Sequence, residues 1–146
     1  MKVWTLLAGL LTAPTLLNAE TDGFFEVLPR DEPWSVRREV PRLEYALIHG
    51  DPERVCPFTF RVRAETPHRL PSHTHPDERT ITVISGTYRA GIGKTFEESA
   101  LRAFPAGSFY VIPAGLPYFS AVLDGEVMFQ ESGTGPSRND PVEPRR

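Results

Sequence analysis

Two histidines set the first chemical possibility in this chain. His73 and His75 stand two residues apart in the run HTHPDERTITVISG, which spans His73 to Gly86. Residues two apart on a strand point to the same face, so both imidazoles can meet one ion or one substrate. Zinc, for example, takes imidazole nitrogen at about 2.0–2.1 Å. Two neutral imidazoles alone hold a divalent metal weakly, so a metal centre here needs a further donor. The candidates are Glu78, just downstream, and Tyr118, which closes the segment GSFYVIPAGLPY from Gly107 to Tyr118. With such a donor and water in the open positions, an Fe, Mn, Zn, Ni or Cu ion would polarise a substrate oxygen or bind O₂.

A second chemistry needs no metal. Histidine titrates near neutral pH, so His73 or His75 can serve as general acid or base. Tyr118 can donate to a developing oxyanion, and Arg79 offers a rigid fork matched to a carboxylate or phosphate. Catalysis is therefore expected at His73, His75 and Tyr118. Substrate binding is expected at Arg79 and at Gln130, and metal ligation at His73, His75 and Glu78. Plainer roles stand beside these. Arg79 would pair with Asp77 or Glu78, Tyr118 would be a core aromatic with its hydroxyl at the rim, and Gln130 would be a surface amide. His49 and His68 stand alone in turn-like contexts and read as surface residues.

Strand parity bears on two adjacent candidates. If one regular strand runs through the motif, His73, His75, Arg79, Ile81 and Val83 share a face, while Glu78, Thr80 and Thr82 share the other. The apolar Ile81 and Val83 mark the interior, which turns Arg79 inward and Glu78 outward unless a bulge after Pro76 reverses the order. An inward arginine would oppose a nearby metal cation, because its charge is fixed.

The elements that must position these groups are short. Phe58 to Arg63 alternates cleanly, with Phe58, Phe60 and Val62 on one face. Leu43 to Ile48, Thr80 to Ser85, Thr87 to Ile92, Phe109 to Ile112, Phe119 to Leu123 and Val127 to Glu131 read as further strands. Lys94 to Ala103 reads equally as a loop or one helical turn. Fifteen prolines and eleven glycines among 146 residues punctuate these runs, and no long helical period appears. Many short strands between turns predict an all-β sandwich or barrel.

The two segments together resemble the paired signature of the cupin family: glycine, HxH, glutamate and glycine, followed by glycine, PxG, histidine and asparagine. Gly107, Pro113, Gly115, His73, His75 and Gly86 fall where that pattern has them. Counting back six residues from Gly86 puts Arg79 where the glutamate is usual; Tyr118 takes the place of the second-segment histidine and Val122 that of the asparagine. Two of the four usual ligand positions therefore match. The resemblance runs from about Phe58 to Gly135. More closely, the chain is similar to small exported single-domain cupins, through Gly50-Asp51-Pro52, Pro57-Phe58, the His73–Gly86 run and Gln130 to Pro136. What this implies is a double-stranded β-helix barrel with a small-molecule pocket, and commonly a homodimer.

Composition bounds the rest. The chain has the length of one domain. Lys2, the apolar run Val3 to Leu17 and Ala19 before Glu20 have the form of a secretory signal, with the run too short for a bilayer span. The expected division is a signal at 1–19, an arm at 20–42 anchored by Phe24, Phe25 and Trp34, a barrel at 43–136 and a flexible tail at 137–146. The net charge of −3 becomes −4 once Lys2 is removed, and no basic stripe suggests nucleic acid. Cys56 stands alone, so no internal disulfide framework is expected, and it reads as a small hydrophobe. No G-x-S-x-G elbow, P-loop or dinucleotide fingerprint appears, so no nucleotide cofactor is expected. The sequence thus predicts an exported, periplasmic or secreted barrel that binds or transforms a small anionic metabolite, with or without a metal. A metal-free binding or interaction module is the alternative.

Overall fold

The computed structural model describes residues 23–36 and 42–142, so the signal-like segment lies outside the described residues. Among the described residues, eleven strands form two antiparallel sheets that face one another. The first contains β1 (Trp34–Val36), β2 (Leu43–Gly50), β3 (Pro57–Glu65), β5 (Arg79–Ser85), β8 (Phe109–Ile112) and β10 (Glu126–Thr134), in the order β1-β2-β3-β10-β5-β8. The second contains β4 (His68–Thr74), β6 (Thr87–Ile92), β7 (Arg102–Pro105), β9 (Tyr118–Val122) and β11 (Asp140–Pro141), in the order β11-β4-β9-β6-β7. This is the all-β barrel of two sheets that the strand pattern predicts.

Alternation decides what faces in. Val62 and Ala64 on β3, Ile81 and Val83 on β5, and Val127 and Phe129 on β10 are buried in one core with Tyr88, Tyr118 and Val122 of the opposite sheet. Complete burial of such side chains contributes about 1.5–3 kcal/mol each, which makes these inner faces the main cohesive term. β9 is buried on both faces. Its outer face is covered by the loop after β6, where Phe96 packs 5.1 Å from Phe119, ring centre to ring centre.

Several expectations change. The histidine motif is not one strand. His73 lies one residue before the end of β4 in one sheet, Arg79 begins β5 in the other, and His75 to Glu78 carry the chain across. The parity of Arg79 and Glu78 nevertheless holds, because Arg79 is paired in register with Ile112 and shares its face with Ile81. His68 is buried, not at the surface, since it opens β4 opposite the buried Val122. The arm supplies β1 as an edge strand, with Trp34 beneath the Arg63 guanidinium, while Phe24 is largely exposed. The segment 137–142, expected to be part of a flexible tail, is bound to the barrel: β11 pairs with β4, and Val142 donates to the Ser72 carbonyl. Cys56 is half-buried, its thiol 3.4 Å from the Asp51 carbonyl.

Gly86 turns β5 into β6 at a φ of +72°, and a β-carbon there would run into the Glu126 carbonyl oxygen. Gly107 has a similar φ of +88° but open space around it. Gly107→Ala should therefore cost only left-handed backbone strain, about 1–2 kcal/mol. Gly86→Ala should cost clearly more, because the close approach adds to that strain. Urea unfolding midpoints of the two variants measure the difference, and equal losses would show that the Glu126 contact relaxes freely.

Candidate functional site

Between the sheets lies a cavity of about 430 Å³. Tyr45, Phe60, Tyr88 and Phe129 give it aromatic walls, and His73, His75, Arg79, Tyr118 and Glu131 give it a polar end. Ser137, Arg138 and Asn139 of the C-terminal segment line it as well.

His73 sits opposite Tyr118 in the β4–β9 register, their ring centres 4.4 Å apart. Its Nδ1 is 2.9 Å from the Pro71 carbonyl oxygen. A carbonyl only accepts, so Nδ1 carries the proton of the neutral ring and Nε2 keeps the basic lone pair. Burial lowers the pKa of His73, and Arg79 adds to that against the raising effect of the Pro71 bond. The ring is accordingly neutral at pH 7 and can accept a proton.

His75 is committed at both nitrogens. Nδ1 donates to the Arg138 carbonyl at 2.9 Å, which leaves Nε2 to accept from the Tyr118 hydroxyl at 2.9 Å. Arg79 Nη2 also lies 3.2 Å from Nδ1. With Nδ1 protonated this is a contact between two donors, and it opposes a second proton on the ring. Burial first, then the Arg79 charge, bring the His75 pKa down to about 4. Tyr118 is likewise held neutral, its pKa raised by burial.

Arg79 is the centre of the polar end. It is buried at 5 % exposure. Nη1 donates to Glu131 Oε1, Nη2 donates to Ser137 Oγ at 2.5 Å, and Nε lies 2.9 Å from Asp77 Oδ2. Its guanidinium also covers the Phe58 ring at 4.9 Å. Asp77 in turn accepts from the Ser137 hydroxyl and from the Thr134 amide at 3.2 Å. Gly133 leaves the space this requires: a β-carbon there would meet the Arg79 and Asp77 side chains. The ion-pair role for Arg79 is thus present, with Asp77 as expected and Glu131 in place of Glu78.

Two expected site residues do not reach the cavity. Glu78 is exposed, one residue out of phase with Arg79. Gln130 faces outward, paired with Thr82 and Arg61 and receiving Arg61 Nε at 3.4 Å. Its neighbours Phe129 and Glu131 face inward, because side chains alternate along β10. That same parity, applied to the apolar Val127 and Phe129, would have singled out Glu131 from the sequence. Ser137 carried no such signal, lying in a polar, Pro-rich stretch beyond the last alternating run.

The donor set does not fit a resident divalent metal. The His75 nitrogens are both bonded, the carboxylates at hand hold Arg79, and that guanidinium stands beside the imidazole a metal would need. Among the described residues no group of three or more His, Cys, Asp or Glu is arranged to hold a metal ion. The expected set of His73, His75 and Glu78 is not assembled, because Glu78, at the end of the crossing into β5, is exposed and does not line the cavity.

The two facing sheets, closed around a pocket that begins at an HxH pair, define a cupin-type double-stranded β-helix. The sequence matches no protein-family model, and no curated protein matches it. Solved structures do. The polyketide cyclase RemF from Streptomyces resistomycificus superposes with a TM-score of 0.70 at 14 % identity, over 84 % of this chain and 88 % of its own. An RmlC-like cupin from Shewanella frigidimarina gives 0.60 at 7 % identity, over 74 % and 87 %. KdgF from a Halomonas species gives 0.58 at 14 %, over 82 % and 94 %. At such identities the likeness is one of fold.

Removing the Arg79 charge would leave Asp77 and Glu131 facing each other in the interior. Arg79→Met should therefore destabilise by about 3–5 kcal/mol. Adding Asp77→Asn and Glu131→Gln should recover part of that loss, and chemical denaturation of wild type, the single variant and the triple variant measures it. No recovery would mean that Arg79 acts through packing alone. His75 supplies a pH signature. Its folded pKa of about 4 lies below its ordinary 6.5, so its contribution is complete above pH 6.5 and is lost as pH falls towards 4. The stability difference between wild type and His75→Gln should shrink over that window, and urea titrations at pH 7, 5.5 and 4.5 would show it.

Proposed function

We propose that the cavity takes a small neutral molecule with an apolar, ring-like body and a hydroxyl group, without a resident divalent metal. The observation that carries this is the neutralisation of Arg79 inside the fold. Asp77 and Glu131 occupy the guanidinium that the sequence offered to an anionic metabolite. Arg138, the other cation of the lining, pairs with Asp140. What the cavity offers instead is the aromatic wall of Tyr45, Phe60, Tyr88 and Phe129 and the Nε2 lone pair of His73.

Within this site His73 receives a hydrogen bond, or a proton, from the ligand's polar group, and the His75–Tyr118 pair keeps its own hydrogen bond and holds the opposite wall. A cavity of about 430 Å³ falls in the range that encloses a drug-sized ligand. That a polyketide cyclase shares the fold is in keeping with a ring-bearing ligand. Export after loss of residues 1–19, and pairing of two copies, belong to the same proposal and rest on the sequence.

Titration calorimetry with 1-naphthol and naphthalene tests it. The wild type should prefer 1-naphthol, and His73→Leu should reduce that preference by about fivefold, the worth of one hydrogen bond. Zinc, manganese and ferrous ions should bind without fixed stoichiometry. One equivalent of metal, lost on His73→Ala with His75→Ala, would overturn the proposal.

A further inference from the structure

A second cavity, of about 480 Å³, opens at the seam where β7 ends one sheet and β8 ends the other. Ala90, Phe104, Tyr110, Ile112 and Leu116 give it apolar walls, and Tyr118 lines both this cavity and the first. Phe104 and Tyr110 stack with ring centres 4.2 Å apart, which makes one wall rigid.

Arg102 is the single charged residue of this lining. Its guanidinium carbon lies 5.7 Å from the centre of the Phe104 ring. Every other described arginine is taken up by a carboxylate or a carbonyl oxygen: Arg30, Arg54, Arg61, Arg63, Arg69, Arg79, Arg89 and Arg138 by acids, Arg42 by the Thr66 carbonyl. Among the described residues, Arg102 has no such partner. Among the described residues, then, one guanidinium is left without an acid or a carbonyl oxygen, and it stands at an apolar cavity.

From this juxtaposition we infer a second ligand site, independent of the first, for an amphipathic monoanion: a carboxylate on a short apolar body. The body is buried against Phe104, Ile112 and Leu116, where apolar burial supplies the affinity. The carboxylate meets Arg102, whose planar fork accepts it in two parallel hydrogen bonds. The volume suits a small molecule. A macromolecular occupant would instead add a strand to the free edge of β8, where Phe109 and Val111 are exposed, and would have no use for the guanidinium.

Calorimetric titration of the whole protein with decanoate and with decan-1-ol separates these cases. Decanoate should bind at least about fivefold more tightly than the alcohol, as a charge-assisted contact at the cavity mouth implies. Arg102→Gln should erase that preference and leave the alcohol unchanged. Ala90→Leu, which intrudes on the cavity, should weaken both, and the exposed Arg102→Gln keeps the test readable if Ala90→Leu fails to fold. His73→Leu should leave the decanoate affinity as it is, which distinguishes this site from the histidine cavity. Decanoate binding indifferent to Arg102→Gln, or lost in His73→Leu, would overturn the inference. So would a dimer in sedimentation velocity that Phe109→Asp dissolves, since a second copy would then cover the seam.

Discussion

A guanidinium buried between two sheets must bring counter-charges with it, and much of this molecule is arranged around that requirement. Desolvating an arginine costs several kcal/mol unless its donors are met by well-placed acceptors. Here Glu131, from the middle of β10, and Ser137, from the segment beyond the last long strand, accept from its two Nη groups, while Asp77, from the crossing between β4 and β5, stands beside Nε as a counter-charge. Arg79 is therefore a joint between β5, β10 and the C-terminal segment. It holds them in one register, because a one-residue slip of β10 would turn Glu131 outward and replace it with an unmatched neighbour.

That joint also decides what the neighbouring histidines can do. Burial suppresses the His75 imidazolium, and the guanidinium beside it works in the same direction. His75 is left as a fixed neutral ring with a donor and an acceptor already in use. His73 is the less constrained of the two, with only Nδ1 anchored, so the basic lone pair that can meet a ligand is on one histidine of the motif. An HxH pair can thus remain in a barrel after the environment has divided its members into a structural group and a chemical one.

Much of this was legible in the residues. Alternation at Phe58, Phe60 and Val62, and at Ile81 and Val83, revealed the inner faces, and the glycine and proline spacing pointed to the barrel. The inward Arg79 followed from the same parity. What escaped had little local signal. β1, β7 and β11 are short edge strands whose pairing comes from neighbours far away in sequence, so no period announces them. Gln130 looked attractive for its chemistry while Glu131 was the residue on the inner face. The partners of Arg79 lie 52 and 58 residues away at Glu131 and Ser137, and only closure of the barrel brings them together.

The C-terminal segment shows how closure and chemistry meet. The Arg138 carbonyl is a backbone acceptor that any residue at that position would provide, so side-chain pattern says nothing about it. Yet by accepting from Nδ1 it fixes the His75 tautomer, and the tautomer fixes the direction of the next hydrogen bond, with Tyr118 as donor to Nε2. Without that carbonyl, Nδ1 would be free to accept from Arg79, Nε2 would carry the proton, and the Tyr118 hydroxyl would turn its own proton elsewhere. The pairing of β11 with β4 therefore does more than close a sheet edge. It sets the polarity of the hydrogen-bonded chain along the cavity wall, and leaves His73 Nε2 as the site's available base.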